Sequence, residues 1–312
     1  MMVPTPHVLL MAYGTPARLD EVEAYYTHIR HGRSPAPEQL AHLLARYEAI
    51  GGLSPLREIT RAQADALEAE LRRRRLLQGD GRVHVGFKHT QPFVADTVRA
   101  MAQAGITRAV SAVLAPHYSA MSVGMYIREA SEAGFAHGVS FAHVRQWHMQ
   151  PAYLDALRAR LAAGLAALSI AQRERVRIIF SAHSLPERIV AQGDPYPEQL
   201  LETVRALVVN MGPVDWVFNW QSAGRTEELW LGPDILEGLR QAASDGCSAV
   251  LSCPIGFVAD HLEVLYDLDI EASAEARRLG LHFARTASLN ADGGLANALA
   301  DAIEEAWEAT FR

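Results

Sequence analysis

The sequence has few cysteines. Of its 312 residues only Cys247 and Cys253 are cysteines, too few for a disulfide framework and not spaced like the ligands of a zinc ribbon. They flank a strand-like apolar run, so we expect two buried thiols. Free thiols are typical of a reducing compartment, which predicts a cytoplasmic protein.

The sequence also lacks an excess of positive charge. Its formal net charge is −7, from 29 Lys and Arg against 36 Asp and Glu. Proteins that bind nucleic acids usually carry a basic balance or a basic stripe, so we expect no nucleic-acid partner. The one obvious basic run, Arg72–Arg75, ends a helix-like segment, and we interpret it as a solvated helix terminus.

Long hydrophobic runs are absent. The apolar stretch near the N-terminus, MMVPTPHVLLMAYG, is too short to span a membrane, has no basic flank and runs into a turn. Hydrophobic residues make up 49% of the chain and charged residues 21%, as in a globular protein with a substantial core. We therefore expect a folded protein of one large or two ordinary domains without a membrane anchor.

Short apolar runs alternate with longer amphipathic segments along the whole chain. The predicted strands are Val8–Ala12, Val83–Phe87, Ala109–Leu114, Val139–His143, Val176–Ala182, Trp216–Trp220, Ala249–Pro254 and Leu281–Arg285. The predicted helices are Arg57–Leu77, Thr90–Gln103, Pro151–Leu168, Pro197–Val209, Gly232–Ser244 and Leu295–Phe311. This alternation predicts an α/β fold with parallel sheets, whose ligands bind beyond the carboxyl ends of the strands.

Two strand ends carry residues of possible chemical use. An apolar strand is followed by a polar turn at Met11–Pro16 and again at Ser181–Pro186, which suggests two similar halves that meet near Gln146–Pro151. Tyr13 in the first turn is either part of a plain turn or a ligand for a metal or substrate. His183 in the second is either a buried histidine paired with a carbonyl group or a site residue; a Ser/His/Asp triad is unsupported without a Gly-x-Ser-x-Gly elbow.

Three carboxylates recur at every fourth position after the strand Ala249–Pro254. On a helix Glu263, Asp267 and Glu271 would form one stripe with about 6 Å between neighbours along the axis. Like charges at this spacing repel, and the segment between Gly256 and Ala276 contains no Lys or Arg to offset them. A solvated acidic face is the alternative, but oxygen stripes of this kind attract divalent cations.

Together, His183 and the carboxylates can both bind a first-row divalent ion and accept protons. Metallation of a porphyrin needs both roles, because two pyrrole N–H protons leave as the metal enters. The N-terminal part of the chain adds an anion-binding pattern, since guanidinium groups pair with carboxylates. Its residues are Arg30, Arg33, Arg46, Tyr47 and Ser54, and Lys88 and His89 follow a neighbouring predicted strand.

The chain resembles the ferrochelatase family in eight segments that occur in order along nearly its whole length. They are MAYGTP, YYTHIRHGR, RYEAIGGLSPL, SAHSLPE, GDPYPEQL, WQSAGR, WLGPD and GFVADHLEVLYDLDIE. The resemblance implies two Rossmann-like (chelatase-like) domains, each a four-stranded parallel sheet flanked by helices, with the porphyrin in a cleft between them. The expected domains are residues 1–147, completed by a C-terminal helix at about 291–312, and residues 148–290.

The resemblance also implies roles for individual residues. His183 is expected to accept protons and bind metal, Glu263 to be its catalytic partner, and Asp267 and Glu271 to guide metal or protons along a helix with a wide π turn. Tyr13 is expected to be the axial ligand on the opposite porphyrin face. The expected substrate contacts are Tyr13, Arg30, Arg46, Tyr47, Ser54, Tyr126 and the aromatic Trp230, with Lys88 and His89 as further candidates.

Departures from some relatives refine the expectation. The chain has no C-terminal cysteine cluster, so we expect no iron–sulfur centre and no permanently bound cofactor, with Fe2+ as a substrate and Mg2+ as a candidate ion at the outer carboxylates. Tyr13 and the basic N-terminal region resemble the form of the family that uses coproporphyrin III, so the resemblance implies this substrate, whose four propionates suit an acidic chain with several arginines near the substrate. Protoporphyrin IX, another tetrapyrrole and a non-catalytic haem or metal carrier are the alternatives. We further expect a monomer with transient contacts to other haem-pathway enzymes.

Overall fold

The computed structural model of the protein describes residues 7–224 and 226–311. The chain forms two compact units, and each is built on its own parallel sheet. Unit 1 contains the described residues up to Tyr153 and those from Asn290 onward, and unit 2 contains Leu154–Leu289. Within the described residues, no helix combines the length and hydrophobicity needed to cross a membrane.

The two sheets share one strand order. In unit 1, β1 (His7–Ala12), β2 (Val83–Phe87), β3 (Arg108–Val113) and β4 (Ser140–His143) pair in the order β2-β1-β3-β4. In unit 2, β5 (Val176–His183), β6 (Trp216–Gln221), β7 (Ala249–Cys253) and β8 (His282–Arg285) pair in the order β6-β5-β7-β8. All pairs are parallel. The predicted α/β fold with two four-stranded parallel sheets is confirmed.

Helices connect these strands. They are α1 (Val22–Ile29), α2 (Pro37–Ala49), α3 (Leu56–Arg73), α4 (Val94–Gln103), α5 (Val123–His137), α6 (Pro151–Ala167), α7 (Ile170–Arg173), α8 (Arg188–Ala191), α9 (Tyr196–Val208), α10 (Ile235–Ser244), α11 (Ser273–Arg278) and α12 (Gly293–Phe311). A short 3-10 helix spans Leu19–Glu21, and a π-helix spans Val264–Ala272.

The core explains why the strands were recognisable in the sequence. In β1, Val8–Met11 have no exposed surface, as expected for a strand covered on both faces. One core cluster of unit 1 contains Leu9, Met11, Val98 and Met101, and a core cluster of unit 2 contains Ile179, Leu239, Val250, Val264 and Leu268. Burial of such side chains stabilises each unit by roughly 1.5–3 kcal/mol per residue.

Some expectations about local structure are wrong. The helix predicted from Thr90 begins only at Val94, because Pro92 disfavours helical geometry in the residue before it. The prediction missed α1, α2 and α5; α2 begins at Pro37, a position where the missing N–H costs nothing. Cys253 is buried as expected, but Cys247 is partly exposed.

The basic run at the end of α3 is more than a solvated terminus. Arg73 and Arg74 both pair with Glu70, and Arg74 also pairs with Asp301 of α12 within unit 1. Only 19% of the Arg74 side chain is exposed, so the solvated interpretation is wrong for this residue. The ion pair ties the C-terminal helix to α3.

Candidate active site

His183 is the last residue of β5, at the carboxyl edge of the sheet in unit 2. Its Nδ1 lies 2.5 Å from the backbone carbonyl oxygen of Ser184. A carbonyl oxygen can only accept, so Nδ1 carries the hydrogen, and in the neutral ring Nε2 carries the free lone pair. The sequence allowed His183 to be a buried histidine paired with a carbonyl group. This interpretation holds for Nδ1 but leaves Nε2 able to accept a proton.

Hydrogen bonds around Ser184 hold that carbonyl group in place. The backbone N–H of Ser184 donates to the carbonyl oxygen of Gln221 at 2.8 Å, and its hydroxyl donates to the carbonyl oxygen of Leu231 at 2.8 Å. The phenol of buried Tyr196 donates to the carbonyl oxygen of His183 at 3.1 Å. These bonds restrict the orientation of the imidazole before any ligand arrives.

Glu263 lies between two imidazoles. Its Oε1 is 3.6 Å from Nε2 of His183, and its Oε2 is 3.5 Å from Nε2 of His261. Nδ1 of His261 donates to the carbonyl oxygen of Ala259 at 3.0 Å, which turns Nε2 toward the carboxylate in the same way. About a third of the His183 and Glu263 side chains is exposed, 34% and 32%, so both remain accessible to a ligand.

The pKa values of the two groups are coupled. Burial by itself would lower the pKa of His183, but the nearby Glu263 carboxylate and the hydrogen bond to the Ser184 carbonyl outweigh it and raise this pKa above the usual value. Burial would raise the pKa of Glu263, but the His183 and His261 imidazoles hold it well below its usual range. The pair therefore shares a proton readily, with the carboxylate charged and the imidazole easily protonated.

A close approach brings the two halves of this site together. A Cβ atom at Gly256 would lie 2.4 Å from Cβ of Ala182, so glycine is required where the loop after β7 crosses the end of β5. This loop leads directly into the segment that carries His261 and Glu263. His183 and Glu263 are far apart in the chain, and the crossing of this loop over the end of β5 makes them neighbours.

The segment that carries these carboxylates is not a regular α-helix, because Val264–Ala272 is a π-helix. The wide turn that the family resemblance implied is therefore present, and the carboxylate stripe stays a prediction. Asp267 is buried and accepts a hydrogen bond from the hydroxyl of Ser222 at 2.5 Å. Glu271 is exposed, so the set runs from the interior to solvent.

Two aromatic side chains border His183. The ring of Trp230 lies 6.3 Å from the imidazole and that of Phe257 lies 6.5 Å from it, measured between ring centroids. The indole of Trp230 packs over Gly224, where a Cβ atom would come within 2.3 Å of the ring, and its N–H donates to Thr226. These contacts give the site an apolar wall.

A second group of predicted site residues lies in unit 1. Tyr13 follows β1 and is 44% exposed, and its ring lies 4.5 Å from the imidazole of His89. Nδ1 of His89 is 3.0 Å from Nδ1 of His28. Burial and the charge of neighbouring Lys88 lower the pKa of His89 to about 3. The Lys88 ammonium lies 5.0 Å from the ring of Tyr126, which is buried.

The remaining predicted substrate contacts also lie in unit 1. Tyr47 and Ser54 are buried, and the Tyr47 phenol lies 3.4 Å from the hydroxyl of Thr15. Arg30 and Arg46 are half-buried, and the Arg30 guanidinium lies 5.6 Å from the ring of Tyr26. Binding of propionates by these residues stays a prediction.

Comparison with known proteins identifies the family. The family model for ferrochelatase matches residues 6–307. The chain belongs to the ferrochelatase family. It is 43% identical over 309 residues to a coproporphyrin III ferrochelatase of Geobacillus kaustophilus, covering 98% of both chains, and 45% identical over 300 residues to one of Anoxybacillus flavithermus, covering 95% of this chain and 94% of the relative.

A solved structure shares the fold of this ferrochelatase family member. The sirohydrochlorin chelatase SirB from Bacillus subtilis subspecies spizizenii, in complex with cobalt, aligns with a TM-score of 0.57 and 12% identity. The alignment covers 98% of this chain and 97% of that one. At this identity the similarity concerns the fold alone.

Sequence reasoning missed three contributors to the site. His261 stands two residues before Glu263, and its contact with the carboxylate was not foreseen although the motif contains it. Ser222 adopts a positive φ of 59°, which places its hydroxyl against Asp267, and Tyr196 lies in the quoted GDPYPEQL segment. No group of three or more His, Cys, Asp or Glu residues within 7–224 and 226–311 is arranged to hold a metal by itself.

Proposed function

We propose that this chain inserts Fe2+ into coproporphyrin III. The observation that carries the proposal is the contact between Nε2 of His183 and the Glu263 carboxylate, 3.6 Å apart and partly exposed at the carboxyl edge of a parallel sheet. The names of the relatives from Geobacillus kaustophilus and Anoxybacillus flavithermus support the choice of porphyrin. A site with few protein ligands suits a metal that passes through as substrate.

The proposed reaction exchanges one Fe2+ for two pyrrole protons. The lone pair on Nε2 of neutral His183 accepts one pyrrole proton, the Glu263 carboxylate accepts the other, and both protons then pass to solvent. His261, on the other carboxylate oxygen, offers a next position for the proton. Because the metal ends on four porphyrin nitrogens, the protein needs only to strip water from it and release it.

The outer carboxylates fit a route to this pair. Asp267 is buried and hydrogen-bonded to Ser222, while Glu271 is exposed. We propose that they guide metal inward or protons outward and that they are also the position where Mg2+ would bind. We further propose Tyr13 as the axial residue, a cytoplasmic location and transient contacts with other haem-pathway enzymes.

An anaerobic assay tests the proposal. The protein is mixed with Fe2+ and coproporphyrin III, and the conversion of the free-base spectrum to the metalloporphyrin spectrum is followed by absorbance. Parallel reactions use protoporphyrin IX and a corrin precursor with Co2+. Fastest conversion of coproporphyrin III supports the proposal; preference for another substrate, or porphyrin binding without conversion, would reject it in favour of a different chelatase or a carrier.

A further inference from the structure

An arginine from a neighbouring strand pairs with an acid in the π-helix. Nε and Nη2 of Arg285, the last residue of β8, donate to the two carboxylate oxygens of Asp269, each at 2.8 Å. Asp269 is in the middle of the π-helix. This two-pronged geometry is the strongest form of the guanidinium–carboxylate contact, and only 13% of the Arg285 side chain is exposed.

The same guanidinium also holds the loop that precedes the π-helix. Nη1 of Arg285 lies 3.3 Å from Oδ1 of Asp260, and the hydroxyl of Ser288 donates to that oxygen at 2.7 Å. Asp260 and Asp269 stand on either side of Glu263 and Asp267 in the chain. Arg285 therefore connects β8 to points before and after the two acids of the site.

This contact answers a question raised by the sequence, which has no Lys or Arg between Gly256 and Ala276 to offset its acids. The missing cation comes from β8 and pairs with Asp260 and Asp269. Glu263 pairs with histidines instead. Within this one segment Asp260 and Asp269 therefore pair with an arginine, whereas Glu263 lies next to histidines.

π-Helices are rare, mostly short and frequently found at functional sites. We therefore expect this one to depend on contacts from neighbouring elements. Val264, Leu268 and Ala272 bury one side of it in the core of unit 2. Burial of this side sets the overall rotation of the helix, but apolar contacts are non-directional and do not fix the finer placement of its polar side chains. The two hydrogen bonds from Arg285 to Asp269 are directional and supply this finer placement.

We propose that Arg285 is a positioning residue for iron insertion: through Asp269 and Asp260 it fixes the rotation of the π-helix and so keeps the Glu263 carboxylate next to Nε2 of His183. The effect on iron insertion rests on the proposed function, whereas the contacts of Arg285 with Asp269 and Asp260 do not. Arg285 touches neither the metal nor the porphyrin.

The test is the pKa of His183, measured by NMR of histidine-labelled protein in the wild type and in R285Q. The sign of the change is decisive. Loss of a nearby cation alone would raise the pKa of His183, whereas movement of Glu263 away from the ring would lower it. We expect a fall in the pKa of His183 of about 0.5 unit or more in R285Q and a smaller fall in R285K, which keeps the charge without the fork.

The matched control is R278Q. Arg278 belongs to α11, directly after the π-helix, and also forms a two-pronged pair with a carboxylate, that of Glu275, on the surface. We expect this variant to leave the pKa of His183 and the insertion rate unchanged. Circular dichroism of all variants identifies any that do not fold, and R285K replaces R285Q if the latter is one of them, because a fall in the pKa of His183 at constant charge also reports movement of Glu263.

Activity gives the second readout. We expect kcat for iron insertion to fall about 10- to 100-fold in R285Q, with partial recovery in R285K and the acid limb of the pH profile moved to lower pH. An unchanged or raised pKa of His183 in folded R285Q would overturn the inference. Failure of the wild type to metallate porphyrin would overturn the proposed function alone, because the NMR result does not depend on turnover.

Discussion

The carboxyl edges of the two sheets carry histidines in opposite electrostatic surroundings. In unit 2, His183 ends the first strand of its sheet next to the Glu263 carboxylate, which raises the pKa of the imidazole. In unit 1, His89 follows β2 between Lys88 and His28, and burial with these neighbours lowers its pKa to about 3. The carboxyl edges of the two sheets therefore hold one imidazole that is easily protonated and one that is neutral near neutral pH, because burial and the neighbouring charges differ.

The largest expected effect separates these two histidines. His183→Ala should reduce iron insertion by about 10²- to 10⁴-fold, since it removes the proposed proton acceptor, while porphyrin binding measured by fluorescence quenching persists. His89→Ala should cost much less, because a neutral, poorly basic ring cannot take the pyrrole proton. Equal losses in the two variants, measured under the same conditions, would contradict the assignment of roles.

The next effect concerns the coupling of the pair. Glu263→Gln keeps the shape of the side chain but removes the charge that raises the pKa of His183. That pKa should then fall, more of the ring should be neutral in acid, and the acid limb of the kcat/KM profile should move to lower pH while the maximum falls about 10-fold or more. An acid limb that stays in place would show that His183 is not the group that titrates.

The third effect is on stability, because the pKa values of His89 and His183 are shifted in opposite directions. The folded-state pKa of His89 is lowered, so its neutral form stabilises unit 1 fully above about pH 6.5, and this stabilisation is lost as pH falls toward 3. The loss amounts to about 2 kcal/mol at pH 5. His89→Phe should reduce the acid sensitivity of unfolding, measured as the change in urea midpoint between pH 7 and pH 5.

The pH dependence of stability has the opposite sign for His183, because its pKa is raised. Its raised folded-state pKa gives stabilisation that is present below about pH 6.5 and is lost as pH rises through the folded-state value. His183→Phe should therefore not reduce acid sensitivity as His89→Phe does. The same response in both variants would mean that the two surroundings do not differ as the structure shows.

The smallest effect is expected at the second carboxylate. Ser222→Ala removes the hydroxyl that donates to Asp267 and should lower the insertion rate less than about 10-fold, without moving the acid limb. Thr226→Ala, which removes the hydrogen bond to the Trp230 indole, is a matched loss of one hydroxyl near the site. A larger effect at Thr226 than at Ser222 would argue against a role for Asp267 in transfer.

The strands and the chemical residues could be predicted because their signals are local. Nearly continuous apolar runs such as Val8–Met11 marked buried strands, and position after a strand marked Tyr13 and His183. Helices were harder to predict where proline and glycine lie close to both ends, as around α2, or where the helix is not regular. The spacing of the acids by itself could not distinguish a π-helix from an α-helix, and the wide turn was expected only from the family resemblance.

The sequence by itself determined the alternation of strands and helices, the likeness to ferrochelatases and the chemical types available to the site. Only the tertiary structure decided which of these groups act on one another. Gly256 lets the loop after β7 cross the end of β5, and this brings Glu263 to 3.6 Å from a histidine 80 residues earlier in the chain. Local pattern carries propensity and periodicity, whereas the proton affinity of a side chain depends on charges and burial that other parts of the chain supply.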